Sequence, residues 1–252
     1  LATDEEECPP EPARKRTRKQ AATASGGDGS IEWCDHTFSF GDMVWWHGKE
    51  VGVPWEEAAA QVDTIVTGPH AGTAIPVELR SWVSPSLTRR QQYDYSDVAT
   101  GPVGRAWAAR DPGVVFVQNC VSRVATDANR AAEDDPEPGL RAFFQRWREG
   151  QTSFGGVDSV RPITFNHALV LAEPGSDTDW AALSGAIRAA RARGPWAYYG
   201  ALEAVVDAVV ARCTFTDAAP LSLICLHDTD NRKCAPDGSL SEPRPHREAM
   251  PA

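Results

Sequence analysis

Short continuous apolar runs alternate along the chain with longer stretches whose apolar residues fall at helical spacing. "VDTIVTG" (62–68) and "GVVFVQNCVS" (113–122) are short β-rich runs bounded by Gly and Pro, the pattern of buried strands. "LSLICLH" (221–227) is a third run of that kind. Between the first two, "SDVATGPVGRAWAARD" reads as a helix broken or started around Gly101 and Pro102. "DTDWAALSGAIRAARARG" opens on Asp and Thr and closes on arginines and Gly194, so it reads as a capped helix whose dipole is complemented at both ends. "PWAYYGALEAVVDAVVARC" follows, with Pro195 suited to a first helical position. This alternation of strand and helix signals predicts an α/β fold with a mostly parallel or mixed central sheet.

The flanks read differently. Residues 1 to 30 pass from "DEEE" through the basic "RKRTRK" to "SGGDGS" with almost no large apolar residues, so a disordered tail is expected, followed by a single domain over 31–252. "IEWCDHTFSFGDMVWWHGKEVGVPW" is rich in tryptophan and reads as a lid or edge element, with His36 and His47 at no metal-type spacing. The acidic "AAEDDPEPG" (131–139) reads as a surface loop.

Composition narrows the classes of function. The 252 residues carry a net charge of −10, which argues against a nucleic-acid partner. No apolar run approaches the ~20 residues of a membrane span, so no membrane role is expected. The six cysteines include no C-x-x-C pair, and the charged N-terminus is not a secretory signal, so the cytoplasm is the expected compartment. The chain opens on Leu1 rather than Met and stops at "REAMPA", and a fragment truncated at its C-terminus is expected.

The candidate chemistry begins with "DTIVTGPHAGTAIPVELR" (63–80), where an apolar run ends in His70 within a glycine-bracketed turn. His227 ends the later run in the same way. Ligands of open α/β sheets bind beyond the carboxyl ends of strands, so these two histidines are predicted to meet there. Two neutral imidazoles and one carboxylate make a common catalytic zinc shell. Asp97, in "YSDVATG", is the candidate carboxylate, with a helix N-cap as its alternative role; Glu78, in "PVELR", is a weaker candidate. In "CVSRVATDANR" (120–130), Arg123, Asn129 and Arg130 are suited to clamp a small-molecule carboxylate, which a chain this acidic needs local arginines to hold. The other reading of that segment is that Asp127 pairs with an arginine and ties the loop down.

"GPHAGTAIPVELR", then "SD", then "VSRVATDANR", then a strand ending in His together resemble the N-formylglutamate amidohydrolase (deformylase) family, whose marks are a Pro-His-Ser-Gly turn before Ile-Pro and a Ser-Arg-x-x-x-Asp-x-Asn-Arg segment. The resemblance spans residues 62 to 232. It implies a three-layer α/β/α sandwich like that of zinc carboxypeptidases and aspartoacylases, with one catalytic Zn2+ held by His70, Asp97 and His227. It further implies that Asn129 and Arg130, with Arg123, bind a substrate carboxylate, and that an N-formyl or other N-acyl amino acid is hydrolysed. Ala71 stands where the family has Ser, and "ICLHDTDNR" stands where it has Asp-x-His-Ser. The general base is not identified, since Glu242 and Glu248 lie in a loop-like segment. A non-catalytic relative that binds a small carboxylate ligand is therefore the alternative.

Overall fold

The computed structural model describes residues 30–130, 134–151, 160–164, 167–212, 215 and 220–226. The expected N-terminal tail and His227 both lie outside the described residues, as do Glu242 and Glu248.

In chain order the elements are β1 (Trp33–Cys34), α1 (Phe40–Met43), β2 (Val44–Trp46), α2 (Trp55–Ala58), β3 (Thr64–Gly68), β4 (Ile75–Pro76), α3 (Arg89–Asp94), α4 (Thr100–Arg110), β5 (Val114–Gln118), α5 (Glu137–Arg148), α6 (Asp177–Arg193), α7 (Pro195–Arg212) and β6 (Ser222–Cys225). The fold is a mixed α/β arrangement around an open four-stranded sheet ordered β2-β5-β3-β6. β3 pairs in parallel with both β5 and β6, while β2 runs antiparallel on the outer side of β5. β1 and β4 form a separate parallel pair.

Alternate residues of the central strands face opposite ways, as the two-residue period of a strand requires. Val66 and Phe116 pack with Ala108 of α4. Ile65, Val115 and Val117 pack with Tyr198, Ala201, Val205 and Val209 of α7. This two-sided burial is why β3 and β5 carry consecutive apolar residues, Ile65–Val66 and Val114–Val117, rather than a strict apolar-polar alternation. Gly104 brings α4 down onto its strand: a Cβ there would stand 2.4 Å from the Phe116 ring.

A further apolar cluster joins α5 and α6. Leu140, Phe143 and Phe144 fall at helical spacing on one face of α5 and meet Trp180, Leu183 and Ile187 of α6. Each such buried side chain contributes about 1.5–3 kcal/mol of transfer free energy. α6 is N-capped by Ser176, whose hydroxyl accepts from the Asp179 amide, and carries Arg191 and Arg193 in its last turn.

Three expectations are corrected here. The second strand stops at Gln118, because residues 119–122 leave the ladder to form the turn that carries the site. The run at 221–227 was expected to be a buried strand, yet β6 is mostly exposed, with Leu223 at 69%. It borders β3 on one side only among the described residues, so apolar composition there reflects strand propensity rather than burial. Part of the expected acidic loop is helix: α5 starts at Glu137, with Pro138 inside its first turn. The tryptophan-rich segment does supply an edge, since β2 is the outer strand beyond β5.

Candidate functional site

The parallel register sets Gly68 opposite Gln118, so the turns that leave β3 and β5 emerge side by side at the same end of the sheet. β6 ends at the same level, with Cys225 opposite Thr67 and the Leu226 amide donating to the Thr67 carbonyl. His70 belongs to the first of these turns. Asn119 locks the two together: its side-chain amide donates to the Pro69 carbonyl at 3.0 Å, and its Oδ1 accepts from the Val121 amide at 3.1 Å. Gly72 permits the close approach, because a Cβ there would lie 2.0 Å from the Cys120 carbonyl carbon.

Asp97 reaches His70 from the turn between α3 and α4. Its backbone amide donates to the His70 carbonyl at 2.8 Å, and its Oδ2 lies 3.4 Å from His70 Nδ1. The alternative role as an N-cap is not what the side chain does: the N-cap of α4 is Ala99, without a side-chain hydrogen bond. Asp97 is 1% exposed and His70 5%.

Asp127 meets the other side of the imidazole, with Oδ1 2.7 Å from Nε2. Arg123 Nη1 lies 3.3 Å from His70 Nδ1 and 3.9 Å from Asp127 Oδ2. A guanidinium only donates, so Nδ1 must present its lone pair and Nε2 must carry the proton that it donates to Asp127. Arg123 is itself held by its Nε, which donates to the Tyr95 carbonyl at 3.1 Å, and by the Tyr95 ring 5.2 Å away. Burial would raise the Asp127 carboxyl. The hydrogen bond from His70, the Asn129 amide and the Arg123 charge outweigh it and hold the group at about 2.

The loop after β5 is buried from Val121 to Ala128 and emerges at Asn129 and Arg130, both exposed. The Asn129 amide donates to Asp127 Oδ1 and the Arg130 amide to the Asp127 carbonyl. From the helical side, Arg191 Nε donates to Thr126 Oγ1 at 2.8 Å and the Tyr199 hydroxyl to the Ala128 carbonyl at 2.7 Å. The hydroxyls of Ser96 and Ser122, adjacent in sequence to Asp97 and Arg123, are buried with no hydrogen-bond partner among the described residues.

The structure thus brings His70, Asp97 and Arg123 together and sets Asn129 and Arg130 at the mouth of the same loop. Glu78 is elsewhere, with its Oε1 2.6 Å from Arg193 Nε. The sequence offered Asp127 only as a partner for an arginine, whereas the structure also sets it on His70, and sequence reasoning missed Asn119, Arg191 and Tyr199. The signal for Asn119 was a polar amide directly after a buried strand; the other two sit in helix patterns that give no hint of what they touch. Among the described residues no three His, Cys, Asp or Glu side chains stand in ligating geometry around one point. Nδ1 of His70 and Oδ2 of Asp97 form a buried neighbouring pair. Their 3.4 Å separation suits two ligands at about 2.0–2.1 Å from one tetrahedral zinc.

No significant match to the chain was found among curated proteins or among solved structures. Residues 62–223, which hold β3, β5, the His70 turn and the whole 119–130 loop, match the model of one family, and the chain belongs to the N-formylglutamate amidohydrolase family.

Proposed function

We propose that the chain is a zinc-dependent amidohydrolase that cleaves an N-formyl or other N-acyl amino acid, such as N-formylglutamate. The observation that carries this reading is the buried imidazole of His70, with one nitrogen turned to Asp97 and the other held by Asp127. His70 Nδ1 and an Asp97 oxygen would hold the metal, which would take the place of the Arg123 N–H that Nδ1 accepts here, with His227 as the third ligand that the resemblance implies. Asp97 and Asp127 are both buried beside the imidazole, and buried carboxylates of this kind suit a bound cation. Zinc, when bound, polarises a scissile carbonyl and lowers the pKa of a water to about 7.

The chain's own residues do the rest. Asp127 fixes the tautomer and orientation of His70, as a carboxylate behind a ligating histidine does. Asn129 and Arg130 are exposed beside it and suited to take a substrate carboxylate through amide and guanidinium donors. Arg123 is 3% exposed and lies against the imidazole, so its positive charge serves the buried centre where oxygen becomes anionic, rather than the outer clamp. The three-layer architecture of zinc carboxypeptidases belongs to the same proposal, and is supported by α4 and α7 packing on opposite faces of the sheet.

Elemental analysis of the purified chain and of His70→Ala tests this directly. About one zinc per chain, lost together with N-formyl-L-glutamate hydrolysis in the variant, is the expected outcome. Zinc retained by His70→Ala would sink the ligand assignment. Metal binding without hydrolysis of any N-acyl amino acid would favour the non-catalytic, carboxylate-binding alternative.

A further inference from the structure

The peptide between Ala128 and Asn129 is held at both ends. Its carbonyl oxygen accepts the Tyr199 hydroxyl at 2.7 Å, and its N–H donates to Asp127 Oδ1 at 3.0 Å. That oxygen is the one that lies 2.7 Å from His70 Nε2. Because a peptide unit is planar and stiff, fixing both its oxygen and its N–H fixes the direction in which the next Cα departs. The peptide lies where the loop turns from interior to solvent: Ala128 is buried, and Asn129 and Arg130 are exposed.

The hydroxyl comes from a firm support. Tyr199 stands in α7 with its ring 5.6 Å from Tyr198 and 5.7 Å from Trp196. Tyr198 is itself 3% exposed, within the apolar cluster between α7 and the sheet. Burial, and then the Asp127 charge, raise the Tyr199 hydroxyl above its usual range, so it stays protonated as a donor. A second tether from α6, Arg191 to Thr126, holds the loop two residues upstream.

We propose that Tyr199 is a positioning residue for the substrate clamp, acting through the Ala128 carbonyl to aim Asn129 and Arg130. This rests on the reading of that pair as the group that binds a substrate carboxylate. Without the hydroxyl the Asn129–Arg130 segment samples more orientations, and ligand binding must order it. The loss then falls on substrate binding and leaves the chemical step unchanged.

Tyr199→Phe keeps the ring and removes only the donor. In this variant the Asn129 amide should exchange with solvent faster, L-glutamate should bind about 3- to 10-fold more weakly, and KM for N-formyl-L-glutamate should rise by a similar factor. Zinc content and kcat should match the parent chain. Combined with Asn129→Ala, the change should weaken L-glutamate binding by less than it does in the parent chain, since one of the two groups it aims is then gone. Unchanged amide exchange and affinity, a loss confined to kcat, or additive losses in the double variant would each overturn the proposal. If the parent chain hydrolyses N-formyl-L-glutamate and Tyr199→Phe equals it in every readout, the positioning role alone is wrong. If the parent chain neither binds L-glutamate nor turns over the formyl derivative, the clamp reading fails and takes this role with it.

Discussion

His70 has two ring nitrogens in unlike surroundings, and the difference is set by what each neighbour can donate. Arg123 leaves Nδ1 as an acceptor, and Asp127 takes the proton on Nε2. The partnership also has a pH signature. The Asp127 carboxyl is lowered from 3.8 to about 2, so its contribution to stability is present above pH 4 and is lost as pH falls through 2. It amounts to about 2 kcal/mol. Urea unfolding of the chain and of Asp127→Asn should therefore show a gap in stability at pH 7 that narrows at pH 3. An equal gap at both would mean that packing, rather than the carboxylate charge, makes the difference. At this scale the sequence made His70 and Asp97 visible as candidate ligands and offered Asp127 only as an arginine's partner. It could not tell whether Asp127 served an arginine or a histidine, because the two partners lie 4 and 57 residues away and only folding ranks their distances.

Elements bring these side chains together, and α4 on β5 is the clearest case. The helix seats on the Phe116 ring because position 104 has no side chain, and it holds its N-terminus next to Asp97. Gly104→Ala would push a methyl group into a ring that is fully buried, and such overpacking costs about 1–3 kcal/mol. Denaturant titration should show that loss; a neutral or stabilising change, as helix propensity alone would give, would mean that α4 can slide on the sheet. The periodicities of α4, α6 and α7 were legible because each has a capping or proline signal at its start or a long apolar repeat. α5 was not, because the acidic and proline-rich residues before it resemble a loop while its apolar face, Leu140, Phe143 and Phe144, begins only afterwards. β6 reads as buried in sequence and is exposed in the fold, since an apolar run does not state how many neighbours it has.

Across the whole molecule, the loop that follows β5 joins the two larger apolar clusters. Val124 and Ala125 belong to the cluster of α5 and α6, and Ala128 to the cluster of α7 and the sheet. The two should therefore unfold together. Tryptophan fluorescence and far-UV circular dichroism should give one midpoint, and Phe144→Ala in one cluster or Val205→Ala in the other should lower that common midpoint without splitting it. Separate transitions would show two independent units. The described residues contain no helix long and apolar enough to cross a membrane.

By itself the sequence determined the class of fold, the family, and the turn and loop that carry the site, because local period and short motifs are properties of neighbouring residues. Only the tertiary structure decided that Asn119 ties the two turns, that Asp127 holds His70, and that Arg191 and Tyr199 pin the loop from two helices. These contacts span 50 to 71 residues of chain. No local pattern encodes them, because a hydrogen bond depends on separation and direction to within a fraction of an ångström, and those are fixed only when the helices pack against the sheet.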